Sequence, residues 1–104
     1  MGVEPRFLLD RATIILGYGV PLFSCQDALA FIDYLEQNNY GLLGFDGFEI
    51  SENHIMPRMD YILDCSHSVN EPREIFLSRC FKAARTVLSE PAAQNLFFEF
   101  VLEP

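Results

Sequence analysis

Lysine and arginine are missing from the whole stretch between Arg11 and Arg58, while six acidic residues, Asp27, Asp33, Glu36, Asp46, Glu49 and Glu52, fall inside it. With seven basic residues against fifteen acidic ones, the net charge is −8. Such a chain repels polyanions, which excludes nucleic acid and anionic membrane as partners and favours a cationic protein through long-range steering. No apolar run approaches the roughly 18 residues of a spanning helix, and residues 1–9 lack a basic region followed by a long apolar one, so neither membrane insertion nor signal-directed export is expected. Cysteine is scarce and odd in number. Cys25, Cys65 and Cys80 are widely spaced and form no CxxC, which argues against a disulfide framework or a zinc site and for reduced thiols in or near a core, in the cytoplasm.

What is present suffices for a fold. Half of the residues are apolar and ten are phenylalanine, with no tryptophan. A globule of 104 residues removes roughly 65% of its unfolded surface from water, enough for one unassisted core. A single domain over residues 1–104 is expected. The charge is unevenly spread, because Arg73, Arg79, Lys82 and Arg85 cluster late in the chain.

Pro5 can open a helix, and Leu8, Leu9, Ala12, Ile15 and Leu16 follow helical spacing up to Gly17 and Gly19. The β-branched run Thr13, Ile14, Ile15 supports the rival reading of a strand over Ala12 to Val20. Ser24 stands three residues before Asp27, a shortened capping box, and Ala28, Phe31, Ile32 and Leu35 form the apolar face of a second helix ended by Asn38-Asn39. Gly41 to Ile50 reads as a strand. There Gly47 marks a bulge, or the strand is sandwiched, or Asp46-Gly47 makes a hairpin turn. In the next strand Ile55, Pro57, Met59, Tyr61, Leu63 and Cys65 alternate with His54, Met56, Arg58, Asp60, Ile62 and Asp64, and Pro57 defers regular pairing to Arg58. Asn70 can cap a third helix with Phe76, Leu77, Cys80, Ala83, Ala84, Val87 and Leu88 on its buried side and Arg79, Lys82 and Arg85 opposite, closed by Pro91. Leu96, Phe98, Phe100 and Leu102 alternate with Phe97, Glu99, Val101 and Glu103 in a terminal strand.

The class is therefore α+β: a three-stranded antiparallel sheet with helices on one face, in the order ααββαβ, or the ferredoxin-like βαββαβ if the first segment is a strand. Either arrangement leaves the second sheet face bare. That face is expected to present His54, Met56, Arg58, Asp60, Ile62, Asp64, Phe97, Glu99, Val101 and Glu103.

Residues that suggest chemistry have simpler readings. Cys65 and His67 have neither a third ligand nor an orienting partner, so they read as a core thiol and a turn residue. Asp60 and Asp64 share a strand face but read as solvated carboxylates, and Gly17-Tyr18-Gly19 lacks the third glycine of a dinucleotide fingerprint. No catalytic, metal or cofactor set emerges. The row Arg79, Lys82, Arg85 reads as a solvated helix face, and the acids themselves can serve solubility alone.

The segment Leu42-Leu43-Gly44-Phe45-Asp46-Gly47-Phe48, preceded by the Asp27 to Glu36 helix, resembles the I-L-G-G-D-V-Y segment of the bacterial immunity protein 40 family. The resemblance runs on through Tyr61, the Ala83-Ala84 helix and the Phe97 to Leu102 strand; Phe45 replaces the second motif glycine, and no Trp follows. It implies a cytoplasmic inhibitor that covers the active site of a cognate toxin and performs no reaction. The residues expected to engage such a basic partner are Asp46, Glu49, Glu52, Asp60 and Asp64, with Phe48 or Phe97 as an apolar anchor. A module that self-associates into a homodimer through the bare sheet face is the other expectation.

Overall fold

The computed structural model describes residues 6–52, 54–65 and 70–104, with the backbone alone at Tyr18. Pro5 and His67, both singled out above, lie outside the described residues. The segment before Gly17 divides between its two readings: α1 covers Arg6–Arg11 and β1 covers Ile14–Leu16. The leucines of the first turns can face a core as a helix, whereas Thr13, Ile14 and Ile15 gain from an extended backbone that frees their χ1 rotamers. Gly17–Gly19 forms a 3₁₀ turn, and β2 follows at Val20–Ser24. The remaining elements are α2 (Cys25–Gln37), β3 (Leu42–Ser51), β4 (His54–Asp64), α3 (Arg73–Leu88), a 3₁₀ turn at Pro91–Asn95 and β5 (Phe97–Leu102).

The sheet has five strands in the order β1-β2-β5-β3-β4, every pairing antiparallel. The expected three strands are thus β3, β4 and β5. The Gly17–Gly19 turn adds the β1-β2 hairpin, with Ile14 opposite Leu22 and Leu16 opposite Val20. From β2 onward the element order is βαββαβ, yet the sheet is not ferredoxin-like. The strands joined by α2, and those joined by α3, are parallel with one strand between them, but the order β2-β5-β3-β4 puts the last strand inside the sheet, where the ferredoxin-like arrangement has it at an edge.

Local chemistry explains the helix ends. Ser24 Oγ accepts from the Asp27 N–H at 3.2 Å; Asn39 takes φ 59° just beyond α2, the left-handed exit that Asn tolerates. α3 starts at Arg73 with Pro72 as its N-cap, two residues after the expected Asn70 cap, because Asn70 sits at φ 70° and Pro72 supplies the extended entry.

One face of the sheet is covered. Phe23, Phe45, Phe98 and Phe100 point toward Phe31 and Leu35 of α2 and toward Phe76, Cys80, Phe81 and Ala84 of α3, in one cluster that also takes in Leu8 of α1. Phe23 stacks on Phe31 with ring centroids 4.5 Å apart, and Phe45 meets Phe98 edge-on at 5.2 Å, geometries that suit the ring quadrupoles. The expectation of three reduced thiols is corrected. The inward parity of Cys65 and the buried side of α3 bring Cys65 and Cys80 together in a disulfide with Cα atoms 5.8 Å apart, which removes the thiol argument for a reducing compartment. Cys25 alone is free and buried; its thiol donates to the Leu88 carbonyl at 3.0 Å, and burial pushes its pKa up against a smaller opposite effect of Gln94. No described helix is long and apolar enough to cross a membrane.

Candidate functional site

The helices leave the second face of the sheet open, and its composition is decided by an irregularity in β4. Asp46 pairs with Ile62, but the next residue, Gly47, pairs with Arg58. Met59, Asp60 and Tyr61 are therefore extra residues on β4, and an odd number of extra residues inverts side-chain parity beyond them. Of the three readings left open for Asp46-Gly47, the bulge is the one observed.

The inversion corrects half of the expected open face. Ile62, Asp64, Phe97, Glu99 and Val101 do lie on it. His54, Met56 and Arg58 fall on the other parity, where they pair with Ser51, Glu49 and Gly47, and Ile55 and Pro57 replace them. Met59, expected in the core, is 77% exposed. Regular pairing also begins at His54 rather than Arg58, because β4 is an edge strand and the missing N–H of Pro57 can face its unpaired side. Glu103 leaves the sheet face altogether: it caps the end of β5 against Arg73, whose Nη2 donates at 2.7 Å.

The open face of the central strands follows from register: Gly44, Asp46, Phe48 and Ile50 of β3, Phe97, Glu99 and Val101 of β5, and Leu16, Val20 and Leu22 of the first hairpin. Leu22 is only 1% exposed yet is not part of the helix-side cluster. Across this face it lines a groove of about 190 Å³ with Leu16, Val20, Phe48, Ile55 and Glu99. Next to it a second groove of about 320 Å³ runs over Gly44 between Asp46, Ile62, Asp64 and Val101. Glycine is required at position 44. Its φ is +156°, and a Cβ there would collide with the Leu63 carbonyl, so a residue with a side chain does not fit without moving backbone.

The acids expected to act together are divided by Arg58. Its guanidinium donates from Nε and Nη2 to the two carboxylate oxygens of Asp60, at 3.2 and 3.0 Å, and Glu49 lies 3.5 Å away. The hydrogen bonds from Arg58 hold the Asp60 carboxyl below the usual aspartate range. Tyr61, inside the bulge, is buried and donates its hydroxyl to Glu90 at 3.1 Å. Burial first, and then Glu90, raise its pKa. Elsewhere Arg85 holds Asp33 and Glu36, Arg73 holds Glu103, and Arg79 holds Glu71. Asp27 accepts from Thr13 Oγ1 at 2.5 Å. The carboxylates of Asp46 and Asp64 have no hydrogen bond or ion pair among the described residues, and both residues are on the open face. Glu52 is exposed at the β3-β4 connection, away from either groove.

Of the seven expected contact residues, the fold thus brings together Asp46, Phe48, Asp64 and Phe97, with Phe48 and Phe97 directly paired across β3 and β5. It separates Glu49, Glu52 and Asp60 from them. Sequence reasoning missed the contribution of β2, whose apolar run Val20-Pro21-Leu22-Phe23 between Gly19 and the Ser24 cap was the available signal. Among the described residues no three metal-ligating side chains converge. No protein-family model, curated protein or solved structure matches this chain.

Proposed function

We propose that this chain is a non-catalytic protein-binding domain of immunity type, which neutralises a cognate bacterial toxin by covering a basic surface of it. One observation carries the reading: among the described residues no helix covers the second sheet face, which is lined by apolar side chains and by the carboxylates of Asp46, Asp64 and Glu99, and no lysine or arginine lines either of its grooves. Large apolar side chains left exposed on one face, Ile55, Ile62 and Val101 among them, mark an interaction surface, and the aromatic pair Phe48 and Phe97 suits the centre of one, with the carboxylates selecting a cationic partner. The resemblance of the Leu42 to Phe48 segment to the immunity protein 40 family supports the same reading, since that segment gives Gly44 and Asp46 to one groove and Phe48 to the other. The cytoplasm as its place of action rests on this resemblance alone.

The test is coexpression with a basic toxin domain, taken from the adjacent gene where that gene encodes one. Growth is restored by the native chain and lost again with Asp46→Lys combined with Asp64→Lys, while circular dichroism of the purified variant remains native. Toxicity undiminished by the native chain would remove the reading.

A further inference from the structure

We infer that the open sheet face docks a segment of a different protein that sets an arginine or lysine beside an aliphatic side chain, the cation entering the Gly44 groove between Asp46 and Asp64 and the aliphatic group the Phe48 groove. The inference rests on the binding reading above and specifies what the surface accepts. Charge complementarity identifies the occupant. Arg58 holds Glu49 and Asp60, Arg73 holds Glu103, Arg79 holds Glu71, and Arg85 holds Asp33 and Glu36. The carboxylates of Asp46 and Asp64 stand over a groove whose walls, Ile62 and Val101, are aliphatic and whose floor is Gly44. A long cationic side chain matches that combination, because its methylene stem covers apolar wall while its head reaches the acids.

The same charges argue against a second copy as occupant. A two-fold dimer sets one patch against itself, which would bring two sets of Asp46 and Asp64 together with no lysine or arginine among the described residues lining either groove. Like-charge juxtaposition of that kind suppresses association. An apolar face alone would invite a homodimer, but this one carries charges that reject it.

The inference is tested with short capped synthetic peptides alternating leucine with arginine, leucine with glutamate, and serine with arginine, titrated into the isotopically labelled full chain. The leucine-arginine peptide is expected to bind and to shift the amide signals of Gly44, Asp46, Ile62, Asp64 and Val101, with the other two weaker or silent. Asp46→Asn and Asp64→Asn should each weaken it about tenfold, the equivalent of one hydrogen bond to a charged group. Light scattering of the free protein should give a monomer at low and high salt. Absence of binding, unchanged affinity in both Asn variants, shifts confined to α2 and α3, or a dimer buried through Val101 would each overturn the inference. Toxin neutralisation with peptide shifts elsewhere would end this inference alone, whereas peptide binding as described without neutralisation would end the immunity reading alone.

Discussion

Replacing Gly47 by alanine tests the irregularity that decides which side chains reach the open face. A Cβ on Gly47 would lie 2.8 Å from the Tyr61 carbonyl oxygen, 2.9 Å from the Tyr61 Cβ and 3.2 Å from a ring carbon of Phe98. The first two contacts are closer than real Cβ atoms allow, and neither group can swing away. One belongs to the backbone of the bulge, and Tyr61 is buried with its hydroxyl on Glu90. The third is a fully buried core ring. Overpacking at such a site costs typically about 1–3 kcal/mol. A loss of about 2 kcal/mol, with a urea slope of about 2 kcal/mol per M, lowers the unfolding midpoint by roughly 1 M. The assay is urea unfolding followed by far-ultraviolet circular dichroism, since the chain has no tryptophan to report by fluorescence. A midpoint equal to that of the native protein would refute the bulge packing, and with it the parity inversion that puts Ile55 and Pro57 rather than Met56 and Arg58 on the open face.

Two further outcomes follow from the electrostatics. The Asp60 carboxyl should titrate below the usual aspartate range by carbon-detected NMR, and Arg58→Gln should return it to that range. Because its folded-state pKa is depressed, its stabilising effect is present above the ordinary aspartate value and is lost as pH falls through the lower one; identical titration in both proteins would break the assignment. Cys25, buried with its pKa raised, should react with a thiol reagent far more slowly in the folded protein than in urea. Equal rates would contradict its burial.

Several elements were legible in the sequence for identifiable reasons. α2 was marked at both ends by side chains that act on their own backbone, Ser24 at the entry and the Asn38-Asn39 pair at the exit, and β5 by strict alternation of phenylalanine and leucine with Glu99 and Val101. The first hairpin was half legible: the β-branched run offered β1 as the rival reading, but Leu8, Leu9 and Ala12 extend a helical pattern into it, and Pro21 interrupts the apolar run of β2. The site was half legible. Alternation along β4 gives the right face for Ile62 and Asp64 and the wrong one for His54, Met56 and Arg58, since a three-residue bulge leaves no mark in a pattern of period two. Nor does sequence separation foretell that Arg58 reaches both Glu49 and Asp60, or that Cys65 meets Cys80.

The central claim is that Asp46 and Asp64, rather than acidity in general, recruit the partner. The most direct measurement is the association rate with the proposed toxin partner for two variants of equal net charge, Asp46→Asn with Asp64→Asn and Glu49→Gln with Asp60→Asn, at low ionic strength. Steering by a local field changes such rates by about 10-fold or more, so the first pair should slow association by about that factor while the second, already held by Arg58, stays close to the native rate. Equal slowing in both variants would contradict the account.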